Sequence, residues 1–202
     1  MRGKSVLGFF LGFFIGFFCF FVFSRKMNGQ DSISQRKCIT EHTALNSDQI
    51  CAIAKQHYHT RDLFKFCCTP DTLPKIITFP SFFICNESFS WEDGTHWVAI
   101  CCLSPNMPSE LFDSLSQGVE SYSPLIKKFL LTNSNRSYKV NIKRYQPQES
   151  LTCGYYALTF LDWRSQGISY EDCVKRFSSN TLVQNDLLVT SNVCNHMTVD
   201  GL

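Results

Sequence analysis

Residues 5–23 read "SVLGFFLGFFIGFFCFFVF", nineteen positions without a charge and with nine phenylalanines. Coiled into an α-helix they would extend roughly 28 Å, about the thickness of a bilayer's hydrocarbon core. A helix this apolar on every side does not suit the surface of a folded domain. A signal peptide would carry a shorter apolar region and a small-residue cleavage site. Neither is evident, so the favoured reading is an N-terminal membrane anchor over residues 1–26 rather than a cleaved leader. Gly8, Gly12 and Gly16 recur every four residues and share one helix face. Such a strip lets a second helix approach closely and would support a homodimer, although glycine is also common in membrane helices generally. Arg2 and Lys4 precede the segment, whereas Arg25, Lys26, Arg36 and Lys37 follow it. That balance leans towards a single-pass protein with a cytoplasmic C-terminal body.

Four of these cations flank the anchor closely: Arg2, Lys4, Arg25 and Lys26. Without them the chain carries fifteen basic against seventeen acidic residues. A slightly acidic body has no broad nucleic-acid footprint. Eleven cysteines, an odd total with two adjacent pairs, do not make a disulfide framework. No C-x-x-C step occurs, and His57 and His59 lack a matching second pair, so no metal site is expected. Reduced thiols that serve mostly as small buried hydrophobes fit the pattern better. Sequons at Asn86 and Asn135 would be glycosylated only in a lumen, and a cytoplasmic body leaves both unused.

Residues 27–40 are polar and read as a juxtamembrane linker, which leaves 41–202 as one domain. Ser47 is placed to cap a helix over "DQICAIAKQHY", where Ile50, Ile53, Ala54 and His57 share a face. Pro70, Pro74 and Pro80 break the next stretch into loop. "FFIC" (82–85) and "HWVAICCL" (96–103) have the composition of buried strands, joined by the turn-like "EDGT". "ELFDS" and "YKVNIKRY" supply two further strands, with a helix over "PLIKKFLL" between them. From Cys153 to Arg164 the pattern is helical, and "SYEDCVKRF" starts another helix behind Ser169. Helix, then strands, then helices indicates an α+β domain.

Within that order stand the residue types that thiol catalysis needs. His96 opens a strand beside Trp97, Asp113 closes the next strand seventeen positions later, and Gln146 precedes Cys153 by seven. A helix N-terminus and a neighbouring imidazolium lower a thiol's pKa to roughly 3.5–7.5. A histidine in that position can also protonate a leaving amine, an aspartate can hold its tautomer, and a glutamine amide can donate to a developing oxyanion. Gly154 has no side chain to obstruct approach to the Cys153 N–H. Each residue alone has an ordinary structural explanation. Their joint order is what singles them out.

"FICNESFSWEDGTHWVAI", "LFDS" and "QPQESLTCGYYALTFL" together resemble the adenovirus-type (adenain-like) cysteine proteases and their relatives in large DNA transposons and viruses. That family is distantly related to the SUMO and ubiquitin-like proteases. The resemblance runs from about residue 74 to residue 163. It implies a papain-like α+β fold with permuted catalytic order. His96, Asp113 and Cys153 would form the triad, and Gln146 would supply the oxyanion donor. It further implies a viral or mobile-element maturation protease that cleaves a protein or polyprotein at small or glycine-containing sites, with no cofactor. Gln148 competes with Gln146, because the ubiquitin-like branch places its glutamine nearer the cysteine; Ser150 matches the adenain-like spacing. Adenovirus protease is basic and is helped by DNA and a disulfide-linked peptide. This body is acidic and has no cysteine between Cys102 and Cys153, which puts both activators in doubt. Two rivals remain: an isopeptidase for a ubiquitin-like modifier, and a catalytically silent membrane adaptor.

Overall fold

The computed structural model describes residues 43–75 and 77–199, with side chains to Asn195. Residues 5–23, the linker and the Gly8, Gly12 and Gly16 face lie outside that range. No helix among the described residues is long and apolar enough to cross a membrane.

The two long apolar runs are the centre of a five-stranded sheet. β1 (Phe64–Cys68), β2 (Ser81–Asn86), β3 (Trp97–Cys102), β4 (Ser109–Phe112) and β5 (Tyr138–Val140) lie in that order across it. β2–β3 and β3–β4 pair antiparallel, and both outer pairs are parallel. Side chains alternate between the two faces of a strand, and here both faces are covered. Phe82, Ile84, Ala99 and Cys101 point into one core, and Phe83, Cys85, Val98, Ile100 and Cys102 into the other. Burial on both sides explains why these strands read as unbroken apolar runs rather than as alternating ones.

The first core is closed by α1 (Ser47–Gln56), α3 (Cys153–Ser165), α4 (Tyr170–Lys175) and α5 (Leu182–Val199). The second is closed by α2 (Pro124–Thr132), through Ile126, Phe129 and Leu130. Helix α3 runs through the middle of the first core, with Gly154 to Arg164 all buried. Its C-terminal end is clamped to β4: Arg164 Nε donates to Glu110 Oε2 at 2.6 Å and Nη2 to Oε1 at 2.9 Å. Both partners are buried, and removing one would cost about 3–5 kcal/mol.

Several expectations need correction. Asn46, not Ser47, caps α1: its side chain accepts from the Gln49 N–H, and the Gln49 side chain accepts from the Asn46 N–H. An Asn three residues before a Gln completes this reciprocal box, which Ser47 cannot do from inside the first turn. "YKVNIKRY" forms only three residues of strand, because Asn141 turns its side chain onto Asp113. Two elements were not anticipated at all, β1 ("FKFCC") and the eighteen-residue α5. Eight described cysteines are free thiols, but Cys194 is disulfide-bonded, against the expectation of reduced thiols throughout.

Candidate active site

The loop after β4, the start of β3 and the N-terminus of α3 meet at a cleft of about 960 Å³. His96, Gln146 and Cys153 all line it. His96 precedes β3 and is 3% exposed, and its Nε2 donates to Asp113 Oδ1 at 2.7 Å. Cys153 lines the same cleft and its thiol acts on the ring; with Nε2 engaged by Asp113, Nδ1 is the nitrogen left for it. Burial alone would lower the His96 pKa. The hydrogen bonds and negative charges of Asp113 and Cys153 outweigh it and raise the value from 6.5 to about 10.

Asp113 is fully buried and saturated with donors. Oδ1 also accepts from the Leu115 N–H at 2.8 Å, while Oδ2 accepts from the Gln117 N–H and the Tyr122 hydroxyl, each at 2.9 Å. Burial opposes its ionisation, but His96 and these donors prevail and hold the carboxyl below its ordinary value. The turn that delivers the backbone donors contains Ser116 and Gly118 at positive φ, of 51° and 94°. At Gly118 the positive φ favours glycine. Below Asp113, the Asn141 side chain accepts from its N–H and donates to its C=O, standing in for a rung of the β4–β5 ladder.

Gln146 is 1% exposed and anchored at both amide atoms. Its Oε1 accepts from the Ser114 hydroxyl at 2.6 Å, and its Nε2 donates to the Ser150 carbonyl at 2.7 Å. An amide nitrogen has two N–H groups, so one remains for a ligand in the cleft. Gln148 also lines the cleft but is exposed. Ser114 therefore links the two halves of the site, since it follows Asp113 and holds Gln146.

Cys153 is the first residue of α3 and is half-buried. The preceding Thr152 makes no side-chain cap to the helix. Its hydroxyl donates instead to Asp186 Oδ1 on α5 at 2.9 Å. Helix N-termini carry unpaired N–H groups and the positive end of the dipole, and here no side chain of Thr152 covers them. Tyr156, one turn on, shares Asp186 and also donates to the Tyr145 carbonyl; Asn185 donates to the same carbonyl at 2.8 Å. The unanticipated helix α5 thus pins the loop that carries both Gln146 and Cys153. Gly154 has a different reason from the one its sequence position suggested. A Cβ there would sit 3.2 Å from Leu45 and Ile50 side-chain atoms, so glycine permits α3 to pack against α1 and its lead-in.

Sequence reasoning placed His96, Asp113, Gln146 and Cys153, and the structure brings all four together. It missed Ser114, Tyr122, Asn141 and Asp186, which act through neighbours distant in sequence, and it missed Glu87. The carboxyl of Glu87 lies among His96, Asp113 and Gln117, and burial raises its pKa to about 7, with Asp113 adding to the rise and His96 opposing it. Glu87, His96 and Asp113 bring ligand-type atoms within 4.8 Å of one another. Both Asp113 oxygens already accept two hydrogen bonds each, so a metal ion would have to displace the support of the histidine. The residues do not fit a metal centre.

No family model matches the sequence, and no curated protein matches it. Among solved structures, the chain is similar to "SUMO protease Ulp1 with the catalytic cysteine oxidized to a sulfonic acid", at 13% identity and a TM-score of 0.45. That match covers 80% of this chain and 97% of the other. A second structure of the SUMO protease Ulp1, with the cysteine as sulfenic acid, matches at 11% identity and a TM-score of 0.44, covering 84% and 96%. Both superpositions are loose.

Proposed function

We propose that this protein is a cysteine-type peptidase in which Cys153 is the nucleophile, His96 the acid–base group, Asp113 its orienting carboxylate and Gln146 the side-chain oxyanion donor. The observation that carries the reading is the buried Asp113–His96 pair whose ring shares an open cleft with Cys153 and Gln146, the thiol standing at a helix N-terminus that Thr152 does not cap. An imidazole that retains its proton to about pH 10 is built to stay charged beside a thiolate.

The steps follow from these positions. The Cys153 thiolate attacks the scissile carbonyl carbon, and its electron pair forms the S–C bond while the carbonyl oxygen takes the negative charge. The free N–H of Gln146 Nε2 and the N–H of Cys153 are the donors for that oxygen. The His96 imidazolium gives its proton to the leaving amine as the C–N bond breaks, leaving a thioester. Neutral His96 then takes a proton from water, which hydrolyses the thioester and regenerates the thiolate–imidazolium pair.

The finer reading is an endopeptidase of the viral or mobile-element maturation type, cutting at small or glycine-containing sites. It is tethered to a membrane by residues 5–23, with the catalytic body on the cytoplasmic side and the Gly8, Gly12 and Gly16 face available for pairing. A peptide-library cleavage profile of the full chain in detergent tests it, with Cys153→Ala as control. Cleavage after small residues that vanishes in the variant supports the reading. Cleavage confined to folded ubiquitin-like modifiers would replace it with the isopeptidase reading, and activity retained without Cys153 would end both.

A further inference from the structure

Glu87 is an ionisable group at the site to which the peptidase steps assign no work. It follows β2, and its backbone N–H donates to the His96 carbonyl at 3.0 Å, which sets the two residues side by side. Its carboxyl, the His96 ring and the Asp113 carboxyl approach within 4.8 Å of one another. Gln117 joins the two acids: its side-chain amide donates to Glu87 Oε2 at 2.8 Å while its backbone N–H donates to Asp113 Oδ2. The other oxygen, Glu87 Oε1, is buried without a hydrogen-bond partner. An ionised carboxylate oxygen in that position is costly, so the group is poised between charge states.

We propose that Glu87 is a positioning residue for the His96 proton: neutral, it leaves the His96–Asp113 pair to itself, and ionised, it adds a second negative charge that holds His96 as imidazolium. This role rests on the thiol-peptidase reading of the site. The titratable groups that face Glu87 are His96 at the head of β3, Asp113 after β4, Tyr122 ahead of α2 and Cys85 on β2. Of these, His96 alone favours the ionised form and Asp113 opposes it, which is why the carboxyl titrates near neutrality, at about 7. The proton it releases leaves through the cleft that Glu87 lines. Above that pH, the site gains a charge that opposes the loss of the imidazolium proton. The working range is thereby extended on its alkaline side.

Glu87→Gln keeps the acceptor for Gln117 and fixes the side chain neutral. In the full-length protein, the alkaline limb of kcat/KM against pH should move down by about one pH unit. The titration midpoint of the His96 ring, followed by NMR with ¹³C-labelled histidine, should move the same way. Glu87→Asp, which restores the charge, should recover part of the shift. An unmoved limb together with an unmoved ring midpoint would overturn the role. If Glu87→Gln does not fold, wild type decides alone: the His96 resonance should inflect near neutral pH ahead of its own titration, and a single-step curve overturns the role. A ring midpoint that moves in a chain with no cleavage at any pH would sink the peptidase reading and leave the coupling of Glu87 to His96 standing.

Discussion

Two histidines among the described residues are buried beside buried aspartates, and the contrast between them shows what makes one of the pairs a site. His57 Nδ1 lies 3.4 Å from Asp162 Oδ1 at the seam of α1 and α3, and His96 Nε2 lies 2.7 Å from Asp113 Oδ1. Burial hardly separates them: His57 is 8% exposed and Asp162 4%, against 3% and 0%. The difference is in what surrounds each pair. Asp162 takes Gln166 and Asn192 as further partners, both side chains of helices packed on one another. Asp113 takes two backbone donors and a tyrosine hydroxyl, and its histidine faces a thiol across a cleft with Gln146 alongside. A His–Asp pair is thus a common solution to helix packing. It becomes chemistry only with a nucleophile, an oxyanion donor and access.

The largest test of that contrast is to neutralise each aspartate. Asp113→Asn should lower kcat by about 10³–10⁴, since the amide no longer stabilises imidazolium and favours the wrong tautomer. Asp162→Asn should leave kcat per folded molecule within a few-fold, with its cost appearing as a lower melting temperature. Steady-state kinetics and thermal melts on the two variants separate the roles. A comparable kinetic defect in Asp162→Asn would mean that the two pairs are coupled through α3.

The next test concerns the glutamines, one anchored and one exposed. Gln146→Ala should reduce kcat by about 10²–10³ with little change in KM, as expected for a donor used mainly in the transition state. Gln148→Ala, on the exposed rim of the cleft, should change KM more than kcat. The reverse ranking would assign the oxyanion role to Gln148 and with it the ubiquitin-like spacing.

These residues also mark how far the sequence was informative. β2 and β3 were legible because burial on both faces made their centres unbroken apolar runs, Phe82 to Cys85 and Trp97 to Cys102, and α3 because a long helical run followed Cys153. β1 was not, because Lys65, an exposed Phe66 and a half-buried Cys67 hide a five-residue strand at the sheet edge. Helix α5 was not, because its inward residues include Asn185 and Thr190 among Val189 and Val193, so its buried side looks polar. Its polar residues are there to serve Tyr145, Thr152 and Tyr156, contacts some thirty to forty positions away. The four principal site residues could be named from residue type and order. Their supports could not, since nothing local in "VNIK" says that Asn141 will bracket Asp113.

The smallest expected effect isolates the thiol, the component that the His57–Asp162 pair lacks. A histidine whose pKa is raised in the folded state binds more protons there than when unfolded, so stability falls as pH rises across the interval. For His96 that contribution is whole below about 6.5 and is lost as pH climbs towards 10. Burial works to lower the value, and among the causes that raise it Cys153 comes after the Asp113 hydrogen bond. In Cys153→Ala the loss should therefore finish at lower pH, while Asp113 still holds it above the ordinary histidine value. Buried thiols such as Cys101 and Cys102 also resist ionisation and add their own decline at high pH, but they are common to both proteins. The informative quantity is the difference in melting temperature between wild type and Cys153→Ala, measured from pH 6 to pH 10. It should change steadily through the upper half of that range, with wild type losing its advantage last. A difference flat in pH would show that Cys153 and His96 do not share a proton equilibrium, and would separate the thiol from the pair it is proposed to complete.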